Sequence, residues 1–504
     1  MSLQRNIVAG LASQIYVALI GIVMVPMYVK YMGAEAYGLV GFFAMLQAWF
    51  NLLDIGLTPT IARETARLRG GATDALSYRR LVRALEAVFL AVALVGGLSL
   101  LAAAEYIARD WLRASQLPPG EVLAAIQLMA PIIAMRWMAG LYRGALSGAE
   151  RLAWLGGFNA AIATLRFCGV LPLLMFVGTS PTVFFGYQVA TALLELGVLA
   201  TVAYGSFPDT RTGARLPWAW TPLRSVLRFS LMIAFTSSVW VFVTQTDKLV
   251  LSRILPLADY GYFTLAVLVA SGILIFSGPV GAALMPRMAR LEAEGEHAQM
   301  IQVYRHATQL VAIVAGAASI TVAFSAEALL WAWTGNAEIA RQAAPVLVLY
   351  ALGNGVLAVS AFPYYLQFAK GDMQFHVIGN AVFVVLLIPM VVWAASRFGG
   401  VGAGYVWLGM NLLAFVAWLP LVHWKFAPGL NRHWYAEDIA LIVAPILLVG
   451  YIASLLLPPG GSRINQVADI LLAGLVALLA GAAASSAARA RVRTFWRTPS
   501  LQRP

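Results

Sequence analysis

Apolar runs of about twenty residues return along the whole chain, and a run of that length crosses the roughly 30 Å hydrocarbon core of a bilayer as one helix. They fall at residues 7–29, 37–57, 81–104, 122–142, 153–177 and 182–204, and again at 229–251, 262–284, 307–324, 344–366, 377–395, 402–421, 439–456 and 467–484. A backbone that crosses lipid must satisfy its own hydrogen bonds, and helical runs do so locally. Composition agrees: of 504 residues, 61% are hydrophobic and only 11% charged, where soluble domains carry about a quarter. The predicted fold class is therefore an all-α polytopic membrane protein of about fourteen transmembrane helices, and most water-soluble enzymes are excluded.

A polar stretch with Pro208, Pro217 and Pro222, carrying Arg211, Arg215 and Arg224, interrupts the pattern after the sixth run, as a linker does. The expected organisation is a six-helix lobe over 1–205, a cytoplasmic linker over 206–224, a second six-helix lobe over 225–425, and two additional helices with a basic cytoplasmic tail over 426–504. The net charge of +12 is spread over short loops, so it sets orientation rather than attracting nucleic acid. An even number of spans returns both termini to one side. Most of the 34 Lys and Arg then lie on that side, which makes both ends cytoplasmic. The first run is too long for the core of a cleaved signal peptide and reads as a retained span. The single cysteine, Cys168, and five histidines offer no metal-ligand spacing; neither metal nor cofactor is expected.

The chain repeats itself. Glu35-Ala36-Tyr37-Gly38 recurs as Ala258-Asp259-Tyr260-Gly261 at a shift of 223, which also superposes Lys30 on Arg253 and Ala66-Arg67-Leu68 on Ala289-Arg290-Leu291. Tyr142 and Glu150 fall on Tyr364 and Asp372 at 222, and Asn159-Ala160 on Asn380-Ala381 at 221. A unit of six spans gives two copies running in the same direction, a plan suited to alternating access about a site near the midplane. The last two spans stand outside the repeat.

The runs LLDIGLTPTIARETARLR (52–69), GLYRGALSGAERL (140–152) and TDKLVLSRILPLADYGYFTLA (246–266), with Trp333-Thr334-Gly335, resemble bacterial oligosaccharide and polysaccharide flippases of the O-antigen type. These belong to the multidrug/oligosaccharidyl-lipid/polysaccharide exporter superfamily. The resemblance covers nearly the whole chain. It implies a multi-pass transporter of the bacterial inner membrane that carries undecaprenyl-diphosphate-linked oligosaccharide from the inner to the outer leaflet, for cell-surface polysaccharide and lipopolysaccharide O-antigen synthesis. Its partners would be the lipid-linked substrate, the phospholipid bilayer, and a polysaccharide polymerase or other assembly protein.

Such cargo needs a cationic, wet route, and an arginine inside a span is a functional candidate by default. Arg136 is expected in the fourth span, about 9 Å from its inner end, and Arg166 in the fifth, about 20 Å from the same surface. Two forked guanidiniums at staggered depths could pass a diphosphate across. The alternative is an intramembrane ion pair, with Glu195 neutralising Arg136. Asp247 and Lys248 align with Met24-Val25 through the repeat and so fall inside a span. There Asp247 could bind a coupling proton or sodium ion and Lys248 a phosphate, or the two could satisfy each other. Asp54 is either a further coupling group or an anchor at the headgroup boundary. Pro363 suggests a gating bend that offers Tyr364 to sugar rings; Trp240, Trp331 and Trp333 are sugar contacts or interfacial anchors. A membrane glycosyltransferase or polymerase would want paired carboxylates and a large surface domain, and neither is seen. A multidrug or peptidoglycan-precursor exporter of the same superfamily is the other transport reading.

Overall fold

The computed structural model describes residues 3–54, 56–208, 221–456 and 462–490, with side chains omitted over 3–9 and 221–237 and at a few single positions. Most of the expected linker, including Arg211, Arg215 and Pro217, lies outside the described residues. The first repeat comprises α1 (Leu3–Met32), α2 (Ala34–Phe50), α3 (Leu57–Arg69), α4 (Ala75–Tyr106), α5 (Pro119–Gly148), α6 (Leu152–Cys168), α7 (Val170–Phe176) and α8 (Pro181–Tyr204). The second begins with α9 (Thr221–Ile254) and continues through α10 (Leu257–Ser271), α11 (Ser277–Ala293), α12 (His297–Phe324), α13 (Ala326–Thr334), α14 (Ala337–Ser360), α15 (Phe362–Ala369), α16 (Gln374–Leu413) and α17 (Leu419–Phe426). The short α18 (Leu430–His433) then leads to the extra pair, α19 (Leu441–Leu456) and α20 (Arg463–Ala484).

Among the described residues twelve helical segments are long and apolar enough to span a bilayer. One of them, Gln374–Phe426, is 53 residues long and is broken at Gly399, whose φ of 59° and ψ of −141° are not helical; it supplies two spans. With the 34-residue α9 the count reaches the fourteen expected. Exposed leucines at 90, 94, 98 and 101 on α4, and at 471, 472, 475 and 479 on α20, form bands suited to lipid. The repeat is visible in the helix breaks. A 3-10 turn at Asn51–Asp54 separates α2 from α3, and another at Gly272–Phe276 separates α10 from α11, so the break recurs at the corresponding place in the second copy.

Contacts divide the chain into two compact units, residues 1–261 and 262–504, so the first also takes in α9. At the centre of the first unit, α5 packs against α3, α4 and α8. Gly144 and Gly148 allow this: a Cβ at either would collide with backbone of α3 at Thr58 or Ala62, the close approach that small-xxx-small spacing provides. Phe89 stacks on Trp137 with ring centroids 4.9 Å apart in the surrounding core of Tyr78, Leu85 and Leu199. In the second unit α12 holds α14, α19 and α20. Gln309 on α12 donates to Asp438 (2.6 Å) and accepts from the Ser485 hydroxyl (2.6 Å), while Arg305 donates to Asp438 at 2.6 and 3.0 Å. These bonds fasten the ends of the extra pair to α12 within the second unit.

Candidate functional site: a buried arginine cluster

Three helices of the first unit each carry two polar residues seven apart: Arg136 and Arg143 on α5, Asn159 and Arg166 on α6, Gln188 and Glu195 on α8. Seven residues fall about 20° short of two full turns, so each pair shares one helix face. The three faces meet. Glu195, 3% exposed, accepts from Arg166 at 2.9 Å and from Arg143, whose other terminal nitrogen donates to Asn159. Arg136 donates to Gln188 at 2.8 Å and to Gln47 of α2 at 3.4 Å, and its guanidinium lies 5.3 Å from the centre of the Phe43 ring.

Arg143 and Arg166 therefore share one carboxylate, and with Arg136 alongside them the cluster carries two more positive charges than negative. Arg136 has only neutral hydrogen-bond partners. The Nε atoms of both Arg136 and Arg166 are buried without a partner among the described residues. Unsatisfied donors on cations inside a span are costly, and a guanidinium fork is suited to the oxygens of an anion.

Two expectations change in detail. Sequence reasoning pairs Glu195 with Arg136; in the structure its partners are Arg143 and Arg166. The expected stagger in depth also vanishes, because α5 runs on to Gly148. Arg136 then lies about 18 Å and Arg166 about 21 Å along their helices from the Gly148 and Leu152 ends. Arg143 is the residue that sequence reasoning missed. It sits just past the apolar run 122–142 and is easily counted with the loop charges, whereas its seven-residue spacing from Arg136 was the available signal.

The remaining candidates lie elsewhere. Asp54, in the 3-10 turn before α3, accepts from the Thr58 amide (3.1 Å) and hydroxyl (2.8 Å), which satisfies one of the free amides in the first turn of α3. Asp247, 4% exposed, accepts from the Lys248 ammonium at 3.2 Å, and Lys248 also donates to the Thr244 carbonyl. In the second unit α14 ends at Ser360 and α15 opens at Phe362 with Pro363 in its first turn, so the helix is interrupted at Ala361. Tyr364 faces His376 with ring centroids 4.7 Å apart, and His376 is bonded to Asn380 at 3.0 Å. Trp240 is 52% exposed, whereas the Trp333 indole nitrogen is buried without a partner among the described residues.

A sequence profile of the family described as polysaccharide biosynthesis protein matches residues 3–292. No match is found among curated proteins. Among solved structures the chain is similar to a lipid II flippase, MurJ, in an inward closed conformation: 13% identity, TM-score 0.74, covering 98% of this chain and 100% of that one. It is also similar to an inward-facing multidrug resistance MATE family transporter of the MOP superfamily, at 13% identity and TM-score 0.63 over 81% of this chain and 94% of that one. A MOP superfamily transporter from Pyrococcus furiosus matches at 13% identity and TM-score 0.55 over 84% and 95%. At such identities the likeness establishes the fold, which is that of the flippases and exporters of this superfamily.

Proposed function

The chain belongs to the polysaccharide biosynthesis protein family, and we propose that it carries undecaprenyl-diphosphate-linked oligosaccharide from the inner to the outer leaflet of a bacterial inner membrane by alternating access. The observation that carries this reading is the excess of two positive charges on the part-buried arginines around Glu195. Arg136, Arg143 and Arg166 receive the diphosphate, whose oxygens replace the neutral partners of Arg136 and reach the two unpartnered Nε atoms. Tyr364 gives a sugar ring an aromatic face, with His376 and Asn380 at its edge.

Of the carboxylates, Glu195 is the best placed to couple transport to protons. Protonating it releases two guanidiniums toward the cargo, and the departure of the cargo restores its ionised form. Asp247 and Lys248 bond each other and serve as a secondary coupling pair, while Asp54 acts through its bonds to Thr58 at the start of α3. Both termini face the cytoplasm, where a polymerase or other assembly protein is a further partner. An exporter of cationic drugs would be repelled by this cluster. A peptidoglycan precursor, being another polyprenyl diphosphate, would not, and the similarity to a lipid II flippase keeps that cargo as the second reading.

Complementation separates the two. Expressed in a strain lacking its O-antigen flippase, the chain should restore surface polysaccharide, and R136A and R166A should abolish this while the protein still accumulates in the membrane. Rescue only of a strain depleted of its lipid II flippase would assign the second cargo. Full surface polysaccharide from both arginine variants would overturn the role of the cluster.

A further inference from the structure

A second basic feature of the first unit lies apart from the buried cluster. A cavity of about 400 Å³ opens where α3, α5 and α8 end and α4 begins. Its inner wall is apolar, with Leu68, Leu146 and Phe207, and its rim carries Arg69, Arg151 and Ser206. We propose that this cavity binds the phosphate of an anionic phospholipid, with the upper part of the glycerol and acyl chains against the apolar wall.

The donors are available. One terminal nitrogen of Arg69 bonds the Ala149 carbonyl and lies 3.6 Å from Glu150, but its Nε and other terminal nitrogen have no partner among the described residues, and neither does any part of the Arg151 guanidinium. Arg79 stands behind the wall, its guanidinium 5.4 Å from the centre of the Phe207 ring, and adds positive potential that Glu150 only partly offsets. A soluble phosphate would want polar groups on all sides, whereas one apolar wall below a cationic rim matches a lipid headgroup.

The backbone adds an independent sign. Glu150 has φ of +56°, the only positive φ outside glycine among the described residues. The turn it makes is repeated after α15: Ala149, Glu150 and Arg151 donate to Ala145, Ser147 and Leu146, just as Lys370, Gly371 and Asp372 donate to Leu366, Phe368 and Gln367. The structural shift here is thus 221, one less than side-chain identity suggests. It sets Glu150 on Gly371, where φ is +71°, and Arg151 on Asp372. The second copy uses a glycine and an aspartate paired to Lys425 at 2.7 Å; the first keeps a strained non-glycine and an unpaired arginine on a cavity rim. Strain that persists at a concave site commonly serves binding.

The test uses the full chain purified in non-ionic detergent, titrated with dioleoyl phosphatidylglycerol or phosphatidylcholine, with bound lipid counted by native mass spectrometry. Phosphatidylglycerol should bind at least about tenfold more tightly than phosphatidylcholine, and R69Q/R151Q should remove that preference, since each charge-assisted bond is worth about a factor of ten. R63Q alters a charge of the same basic face outside the cavity and should leave the preference intact. S206W fills the mouth without touching either arginine and decides the matter if R69Q/R151Q does not fold; it too should lose the lipid. Displacement of bound phosphatidylglycerol by millimolar inorganic phosphate would replace the lipid with a soluble anion as the occupant. An undiminished preference in R69Q/R151Q or S206W would overturn the site. None of these residues belongs to the Arg136 cluster, so the outcome is independent of the transport reading.

Discussion

The shift of 221 allows the two repeats to be compared at the buried cluster. Arg143 falls on Tyr364, Asn159 on Asn380, Arg166 on Leu387 and Glu195 on Val416. Where the first copy gathers guanidiniums around a carboxylate, the second keeps the asparagine, supplies an aromatic ring and drops the charges. Tyr364 lies against His376 with the rings tilted by 54°, and His376 reaches Asn380, much as Arg143 reaches Asn159. At corresponding positions the first copy is cationic and the second aromatic.

The largest expected effect comes from removing the carboxylate that pairs with Arg143 and Arg166. E195Q leaves three guanidiniums without a counter-charge, and losing one partner of a buried pair costs about 3 to 5 kcal/mol; the unfolding midpoint of the detergent-purified protein should fall sharply. Adding diphosphate should recover part of that loss, because the ligand supplies the missing negative charge. A midpoint equal to that of wild type would show the cluster to be hydrated and its charges independent.

Next in size is R166L, which gives the first copy the second copy's residue. Transport in the complementation assay should be lost with the protein still in the membrane, since one of two excess charges is gone. In the aromatic half, Y364A should slow transport by about tenfold, a loss of the size expected for one ring-stacking contact, while Y364F, which keeps the ring, should retain most of it. Equal rates for Y364A and wild type would remove the aromatic half from the account.

The smallest effect concerns the turn after α15. Hydrogen bonding from Lys425, followed by the Gln374 amide, holds the Asp372 carboxyl below its usual range. A depressed carboxyl contributes stability above its ordinary value near pH 4 and loses it as pH falls through the lowered value. Unfolding midpoints of wild type and D372N should therefore differ slightly at neutral pH and converge in acid. A gap that widens in acid would contradict the pairing.

Much of this architecture was legible in the sequence because lipid forces apolar runs of fixed length, and because Gly38 and Gly261, with their neighbours, preserve the repeat. The cluster was half legible. Arg136 and Arg166 stand out inside apolar runs, but the end of a run is not the end of a helix: α5 continues six residues past Tyr142 through glycines and hydroxyls, and that extension carries Arg143 into the cluster. Which arginine pairs with Glu195 depends on how α5, α6 and α8 rotate against one another, and that rotation is set by side-chain packing over the whole bundle. Asp54 was ambiguous for a similar reason, since its bonds to Thr58 exist only once α3 starts at Leu57.

The central claim is that the first repeat holds an uncompensated cationic site for a diphosphate. Its most direct test is the affinity of the purified protein for a short prenyl diphosphate, farnesyl diphosphate, measured by titration calorimetry in wild type, R136A and R166A. The account predicts saturable binding that weakens about tenfold or more in each variant, with farnesol failing to bind. Identical affinity in all three proteins, or equal binding of the alcohol, would contradict it.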